Sequence, residues 1–210
     1  MTIPFLTVAD VRLIEKQVNK ILSAYMTSKD PHIINTVRGL ATAELRENLT
    51  VVDETILSEV ETISETIGAE LFINSLKAYT VPFKAISEKE LQKLFRKEKK
   101  LRLPNLERVN WYGISYLSWL DVSTHRQYIV IEKEDEYIGL RGVVKLQKPI
   151  KGVCAICNQH SDVHLFTATV KGQADAYTSY SNYICDNVES CNSNVSNYTK
   201  LEAFVARNII

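Results

Sequence analysis

The chain of 210 residues carries its four cysteines in two stretches, Cys154-Ala155-Ile156-Cys157 and, 27 residues later, Cys185-Asp186-Asn187-Val188-Glu189-Ser190-Cys191. Zinc prefers four ligands in a tetrahedron, and a Cys-x2-Cys turn directs two thiolates towards one ion. The second pair can reach the same ion if the residues between the pairs fold back as a hairpin. The spacing therefore predicts one structural Zn2+ with the ligands Cys154, Cys157, Cys185 and Cys191.

The residues between and after the cysteine pairs are suited to a hairpin and a helix. Segments 163–166 and 180–184 are strand-like, because they are rich in β-branched, aromatic and other apolar residues. The stretch 172–175 begins with a glycine and can form the turn between them. Segment 199–205 has a helical pattern of apolar residues. A knuckle, a hairpin and a terminal helix together predict a treble-clef zinc finger over residues 150–210.

Other interpretations of the cysteines stay open at this point. The thiols could form a disulfide pair or remain free, and His160 or His164 could replace a cysteine as a ligand. Thiols stay reduced in the cytosol, which favours a metal site over disulfides. Four thiolates leave no position for a reactive water molecule, which argues against a zinc hydrolase. The sequence also lacks a phosphate-binding glycine loop and a nucleophile elbow, so we expect no enzymatic activity.

The first 80 residues have the apolar periodicity of four amphipathic helices. Thr7 followed by Asp10 resembles a capping box, and Asp30-Pro31 places a capping residue before a proline in a first turn. Only short connections are available between the helices, so residues 1–80 are predicted to form a four-helix bundle. The apolar positions that define the helices are Val8, Val11, Ile14, Val18, Ile21, Leu22 and Tyr25; Ile33, Ile34, Val37, Leu40, Ala41 and Leu45; Ile56, Leu57, Val60 and Ile63; and Ile67, Leu71, Phe72, Leu76 and Tyr79.

The charge distribution marks a domain boundary near residue 80, beside Pro82. Residues 1–80 carry a net charge of −4, whereas residues 81–102 hold eight basic and three acidic residues, a net charge of +5. Ser87 with Glu90 indicates the start of a fifth helix, which we expect to continue through the basic residues and to stop before Pro104. The basic segment 84–102 is either a solvated helix face or a contact for an acidic partner or RNA phosphates.

From residue 112 onward the pattern changes to that of a small antiparallel sheet. Strands are predicted at 116–120, 127–132 and 137–145, and the polar residues 133–136 form a turn between the last two. Trp111 and Trp119 are expected to lie in the core or at a domain interface. The predicted fold class is α+β: an N-terminal helical bundle, residues 1–80, is followed by an α/β domain, residues 81–210, that contains the treble-clef zinc finger.

The overall composition is that of an ordinary globular domain, with 45% hydrophobic and 24% charged residues. Lys and Arg balance Asp and Glu, so the formal net charge is zero and the chain does not coat nucleic acid by total charge alone. Neither a signal peptide nor a run of about 20 apolar residues is visible. We therefore expect a cytoplasmic protein with no membrane contact, and we expect it to be a monomer.

Several segments between residues 88 and 204 match the motifs of one known family. They are residues 90–97 followed by the Lys-Lys pair and Pro104; 114–119 followed by 126–130; 151–158 followed by Leu165-Phe166; and 182–185 with the five-residue spacing to Cys191-Asn192. On these motifs the chain resembles the FusB/FusC-type fusidic-acid-resistance proteins, which are also called elongation-factor-G-binding proteins.

The resemblance implies a protein that binds the C-terminal domains of elongation factor G and helps to release that factor from ribosomes on which fusidic acid has trapped it. The ribosome is then an indirect partner, and the drug is not modified. By motif position, the resemblance places a partner-binding surface at Val153, Tyr180, Tyr183 and Phe204. The alternative prediction is a zinc-dependent RNA- or ribosome-binding module that uses the basic segment 84–102.

Overall fold

The computed structural model describes residues 3–145, 147–171 and 177–209. The chain divides into two units, Met1–Val81 and Pro82–Ile210. The first unit is mainly helical, and the second combines a six-stranded sheet with helices, so the fold class is α+β as the sequence predicts. None of the helices in these ranges combines the length and the apolar character that a bilayer span requires.

The first unit contains the four helices that the apolar periodicity predicts. Thr7 and Asp10 cap the first helix reciprocally, and Asp30 accepts a hydrogen bond from the backbone of His32 at the start of the second. The fourth helix is shorter than predicted, because its last turn tightens into a 3-10 helix at Leu76–Tyr79. The helices are α1 (Val8–Thr27), α2 (Pro31–Asn48), α3 (Glu54–Thr62) and α4 (Thr66–Ser75).

A short parallel strand pair, β1 (Leu6–Thr7) with β2 (Thr80–Val81), joins the two ends of this unit. Two-residue strands carry no readable periodicity, so the sequence did not predict them. Asp10 adds a second long-range link, since its buried carboxylate accepts a hydrogen bond from the backbone N–H of Thr50 at 3.0 Å. The helices enclose one core, whose fully buried members include Ile14, Val18, Ile21, Leu45, Leu57, Val60 and Leu76.

The second unit is built on one antiparallel sheet. Its strands are β3 (Leu117–Asp121), β4 (Arg126–Lys133), β5 (Glu136–Val144), β6 (Ile150–Val153), β7 (His160–Lys171) and β8 (Tyr177–Cys185). The order is β3-β4-β5-β7-β6, and β8 pairs with β7 as well. The three strands predicted between residues 116 and 145 correspond to β3, β4 and β5. The predicted turn at 172–175 lies outside the described residues.

One face of the sheet carries helix α5 (Glu88–Leu94) and an aromatic cluster. Phe95 packs edge-on against Tyr128 and Trp119, with ring centroids 5.0 and 5.8 Å apart, and Trp119 stacks on Tyr128 at 4.9 Å. A Cβ atom at Gly139 would lie 2.8 Å from the ring of Phe95, so the close approach of α5 to β5 requires glycine there. Trp111 packs on the same core, stacked on Phe83.

Helix α5 begins at the predicted capping box, but it ends ten residues before Pro104 rather than immediately in front of it. The expectation of a long basic helix is therefore wrong. The chain turns after Phe95 because Glu98 must reach inward, where its nearly buried carboxylate forms salt bridges with Arg126 and Arg141. The cations that follow α5 lie on a turn and not on a helix face.

The opposite face of the sheet is covered by the C-terminal helix. Two helices end the chain, α6 (Val188–Asn194) and α7 (Tyr198–Ile209). The hydroxyl of the half-buried Tyr198 donates to the carbonyl oxygen of Glu132 and accepts from its N–H, which fixes the start of α7 to β4. Asn208, near the other end of α7, accepts a hydrogen bond from the side chain of Asn182 in β8 at 3.1 Å.

Replacing Glu98 by glutamine tests whether this carboxylate holds the turn. Glu98→Gln removes the counter-ion of two partly buried arginines, so we expect the free energy of unfolding to fall by about 2 kcal/mol. Urea denaturation of the purified chain measures the change. The control is Glu107→Gln at an exposed site in the same unit, which should alter stability by less than about 0.5 kcal/mol. Equal stability of both variants and the parent would show that the turn does not depend on Glu98.

Candidate metal centre and partner surface

The four cysteines converge on one point. Their sulfur atoms all lie within 4.8 Å of one another, with 3.7 Å between Cys154 and Cys191 and 3.6 Å between Cys157 and Cys185. A tetrahedral zinc site with Zn–S bonds of about 2.3 Å has sulfur–sulfur edges of about 3.8 Å. A disulfide needs about 2.05 Å. The donor set therefore fits one structural zinc ion and not the disulfide alternative.

The first cysteine pair lies on a tight knuckle between β6 and β7. The N–H of Asn158 donates to the carbonyl oxygen of Cys154, and the left-handed backbone of Asn158 (φ 57°) turns the chain back. The knuckle is also tied to β8, because the N–H of Ala155 donates to the carbonyl oxygen of Tyr183 at 2.7 Å. This bond brings the end of β8, and with it Cys185, next to the knuckle.

The fourth cysteine comes from helix α6. Asn187 caps this helix by accepting a hydrogen bond from the N–H of Ser190 at 2.7 Å. Two residues, Asp186 and Asn187, separate the end of β8 from the start of the helix, so the five residues between Cys185 and Cys191 form one sharp bend and the first turn of α6. The second pair is widely spaced because one of its cysteines ends a strand and the other lies on a helix, and the chain needs five residues to pass between them.

Hydrogen-bond donors surround the first ligand. The Sγ atom of Cys154 accepts from the backbone N–H groups of Ile156 and Cys185, at 3.4 and 3.3 Å. Side-chain hydrogen bonds from Cys157, Cys185 and Cys191 lower the pKa of Cys154 far below that of an ordinary thiol. The backbone N–H groups therefore stabilise negative charge on the Cys154 sulfur, which is the form that binds zinc.

Tyr116 lies directly behind the metal centre, and the sequence reasoning missed it. Its side chain is buried, and burial, followed by the charge of the Cys191 thiol and a hydrogen bond with it, raises the pKa of Tyr116 well above its ordinary value. The phenol therefore keeps its proton and can donate to the Cys191 sulfur. Outer partners of this kind orient a ligand and tune its basicity. Only an apolar strand pattern marks this position in the sequence.

Asn192 connects the metal helix to the beginning of the sheet. Its buried side-chain oxygen accepts from the N–H groups of Ser115 and Tyr116, at 2.8 and 3.3 Å, and its amide donates to the carbonyl oxygen of Tyr116. Three hydrogen bonds from one side chain satisfy backbone groups that would otherwise be buried without partners. The residue after the last cysteine thus fixes the segment that leads into β3.

Neither histidine near the first pair belongs to the sulfur cluster. His160 is exposed at the start of β7. His164 is buried, and its ring nitrogens face the side-chain oxygens of Gln127 at 2.9 Å and Asp186 at 3.3 Å. His164 therefore connects β7 to β4 and to the residue that follows Cys185.

The predicted partner residues do not share one surface. Val153, Tyr180 and Tyr183 are exposed by 56%, 41% and 45%, but Phe204 is fully buried in α7 and packs against Phe166. The prediction that Phe204 lies on the surface is therefore wrong. In addition, Tyr180 and Tyr183 are three residues apart in β8, so they point to opposite faces of the sheet.

Removing one ligand tests the metal centre. Cys185→Ser is expected to abolish zinc binding and to unfold the second unit, because a structural zinc contributes about 10–16 kcal/mol of apparent binding free energy. Metal analysis and circular dichroism of the purified variant measure both effects. The matched control is Ser190→Ala, which lies between the last two ligands and should keep one zinc per chain. A folded, zinc-free parent protein would contradict the assignment.

A subtler substitution tests the outer partner of the site. Tyr116→Phe keeps the ring in the core but removes the hydroxyl, so we expect zinc affinity to fall about tenfold or more while the fold is retained. Competition with a chromophoric chelator measures the affinity. Tyr112→Phe removes a hydroxyl from an exposed ring nearby in the chain and should change nothing. Unaltered zinc affinity in Tyr116→Phe would limit this residue to a packing role.

Comparison with known proteins places the chain among characterised families. The model for "Elongation factor G-binding protein, N-terminal" matches residues 5–84, and the model for "FBP C-terminal treble-clef zinc-finger" matches residues 90–208. A solved structure of the fusidic acid resistance protein FusC is 30% identical to the chain, with a TM-score of 0.81, over 98% of this chain and 97% of FusC. No curated protein sequence matches significantly.

The two family matches fall on the two units, and the second alone covers more than half of the chain. The cysteine cluster lies inside the segment that matches the treble-clef zinc finger, so the metal centre and the family description agree. Together with the similarity to FusC, these matches show that the chain belongs to the FusB/FusC-type family of elongation factor G-binding proteins.

Proposed function

We propose that the chain binds translation elongation factor G and promotes its release from ribosomes stalled by fusidic acid. The observation that carries this proposal is the pair of family matches, over residues 5–84 and 90–208, together with the similarity to the resistance protein FusC along nearly the whole chain. The protein would protect the drug's target in the cytoplasm, without modifying the drug and without acting as an enzyme.

The zinc-finger region offers a surface suited to this contact. Val153 directly precedes the first ligand, and Tyr183 lies two residues before Cys185, so both exposed side chains stand on backbone that the metal centre fixes. The hydrogen bond between Ala155 and Tyr183 links the two positions. Aromatic side chains on rigid backbone provide large contact area at low entropic cost, as in the energetic centres of protein interfaces.

The orientation of the tyrosines adds a constraint to the proposed complex. Tyr180 and Tyr183 point to opposite faces of β8, and within the described residues β8 pairs along its length only with β7. A partner that contacts both tyrosines must therefore reach around the free edge of β8. We propose that the C-terminal domains of elongation factor G contact this edge, with Phe204 supporting the surface from the core rather than touching the partner.

Release requires a preference between two states of the factor. A ligand shifts an equilibrium only by its differential affinity for the two states. The chain must therefore bind elongation factor G more tightly in the released or releasing conformation than in the conformation that fusidic acid traps. Equal affinity for both conformations would give a complex without accelerated release.

Calorimetric titration of the full chain into elongation factor G, without ribosomes, tests the contact. We expect a one-to-one complex whose affinity falls about tenfold or more in Tyr183→Ala, because the substitution removes an exposed aromatic anchor. Tyr112→Ala is the matched control, since Tyr112 is also exposed but lies in the segment before β3. Release is then followed as the dissociation rate of labelled factor from ribosomes stalled by fusidic acid.

The outcomes separate binding from mechanism. Weakened binding in Tyr183→Ala together with slower release supports both parts of the proposal. Binding without faster release would leave the complex intact and contradict the release step. No complex with a folded, zinc-loaded chain would contradict the proposal and favour a zinc-dependent RNA- or ribosome-binding module.

A further inference from the structure

The turn after α5 concentrates positive charge on the surface. We define the basic turn as residues 96–102; its exposed cations are Arg96, Lys97, Lys99, Lys100 and Arg102. None of these five side chains forms a salt bridge with any residue that the structure describes. The only acid in the turn, Glu98, is directed inward to Arg126 and Arg141. The turn therefore concentrates positive charge in a chain whose net charge is zero.

The basic turn is held at several points along its length. Phe95, immediately before it, is buried in the aromatic cluster, and Leu101 packs against the same core. The indole N–H of Trp119 donates to the carbonyl oxygen of Arg102 at 2.8 Å. With Glu98 as a further anchor, the backbone is fixed while the cations between the anchors face solvent. A charged ligand would thus meet a preformed site, which lowers the ordering cost of binding.

Positive charge continues on the surface beside the turn. A depression of about 250 Å3 is lined by Arg96, Lys97 and Arg141, together with Glu98, Gly139 and the apolar residues Leu94 and Phe95. Across the strands, Arg126 lies opposite Val143, Val143 opposite Thr167, and Thr167 opposite Ser181, so these residues form one row on one face of the sheet.

Hydroxyl groups lie on the same face of the sheet, farther from the arginines. Thr167 and Ser181 share a hydrogen bond of 2.9 Å, and the next pair along the strands, Thr169 and Ser179, shares one of 3.2 Å. Both pairs are exposed. Arg, Lys, Ser and Thr side chains are the groups that most often contact phosphate and sugar oxygens in nucleic-acid complexes. A basic turn beside two pairs of hydroxyls has the composition of a binding surface for a phosphate backbone.

From this arrangement we propose that the basic turn and the adjoining sheet face bind the sugar–phosphate backbone of RNA without base specificity. We choose RNA over an acidic protein because the turn lacks an exposed apolar side chain. Its apolar side chain, Leu101, packs against the core, so the turn itself offers cations but no exposed apolar anchor. The exposed side chains Val143 and Tyr183 belong to the adjoining sheet face and not to the turn. Protein interfaces depend on such anchors, whereas phosphate backbones are bound by charge alone. The proposal does not depend on binding to elongation factor G.

The test compares two variants with the same change in total charge. Lys99→Glu/Lys100→Glu reverses two cations of the basic turn, and the control Lys133→Glu/Lys200→Glu reverses two exposed cations elsewhere in the second unit. Fluorescence anisotropy measures binding of each full-length, zinc-loaded chain to a labelled single-stranded oligouridylate over a series of salt concentrations. Circular dichroism and zinc content verify that both variants are folded.

We expect the parent to bind with a strong salt dependence, a slope of log K against log salt of about −3 for four contacted phosphates. The turn variant should lose at least about tenfold in affinity at low salt, with a slope shallower by about 1 to 2. The control variant should lose less than about threefold.

Three results would overturn the proposal: no RNA binding by the parent at low salt, equal losses in both double variants, or full RNA affinity in the turn variant. If the turn variant instead keeps its RNA affinity and loses affinity for elongation factor G in calorimetry, the basic turn is a contact for an acidic protein. That result would leave the proposed function standing and reject RNA as the ligand of the turn.

Discussion

The second unit depends on one requirement: four thiolates from three different elements must come within bonding distance of one ion. The three elements are the knuckle after β6, the end of β8 and the first turn of α6. They can meet only if β8 runs back along β7 to the end at which β7 begins. This explains why β7 is long enough to pair with three other strands. The exposed residues Val153 and Tyr183 are consequences of the same closure, because each lies within two residues of a ligand.

The second unit has two kinds of surface, and a different group holds the backbone beneath each of them. Near the metal centre, fixed backbone presents an aliphatic side chain and tyrosines. On β4 and β5, the buried Glu98 holds two arginines and turns the chain outward, so that a run of cations faces solvent. An ion of charge +2 stabilises one surface and a buried carboxylate stabilises the other. The total charge of zero conceals this division, which appears only when the charges are placed on the fold.

Much of the fold was readable from local patterns. Both capping boxes, the helix periods and the cysteine spacing predicted elements that the structure contains. The length of α5 was not readable, because it is set by the pairing of Glu98 with arginines 28 and 43 residues away. For Phe204 the signal existed: Leu201, Phe204, Val205 and Asn208 follow a helical period and form the buried face of α7. The opposite orientation of Tyr180 and Tyr183 follows likewise from the strand period of two.

The side chain of Asn192 has a consequence for how the domain is made. It completes the hydrogen bonding of Ser115 and Tyr116, which precede it by 77 and 76 residues. A ribosome adds residues at about 5–20 per second, so the leading end of β3 waits several seconds before its last backbone partners emerge. During this interval the segment that leads into β3 lacks these partners. The order of synthesis therefore makes the docking of α6 a late step of folding, and a chain truncated before α6 would leave the N–H groups of Ser115 and Tyr116 without these partners.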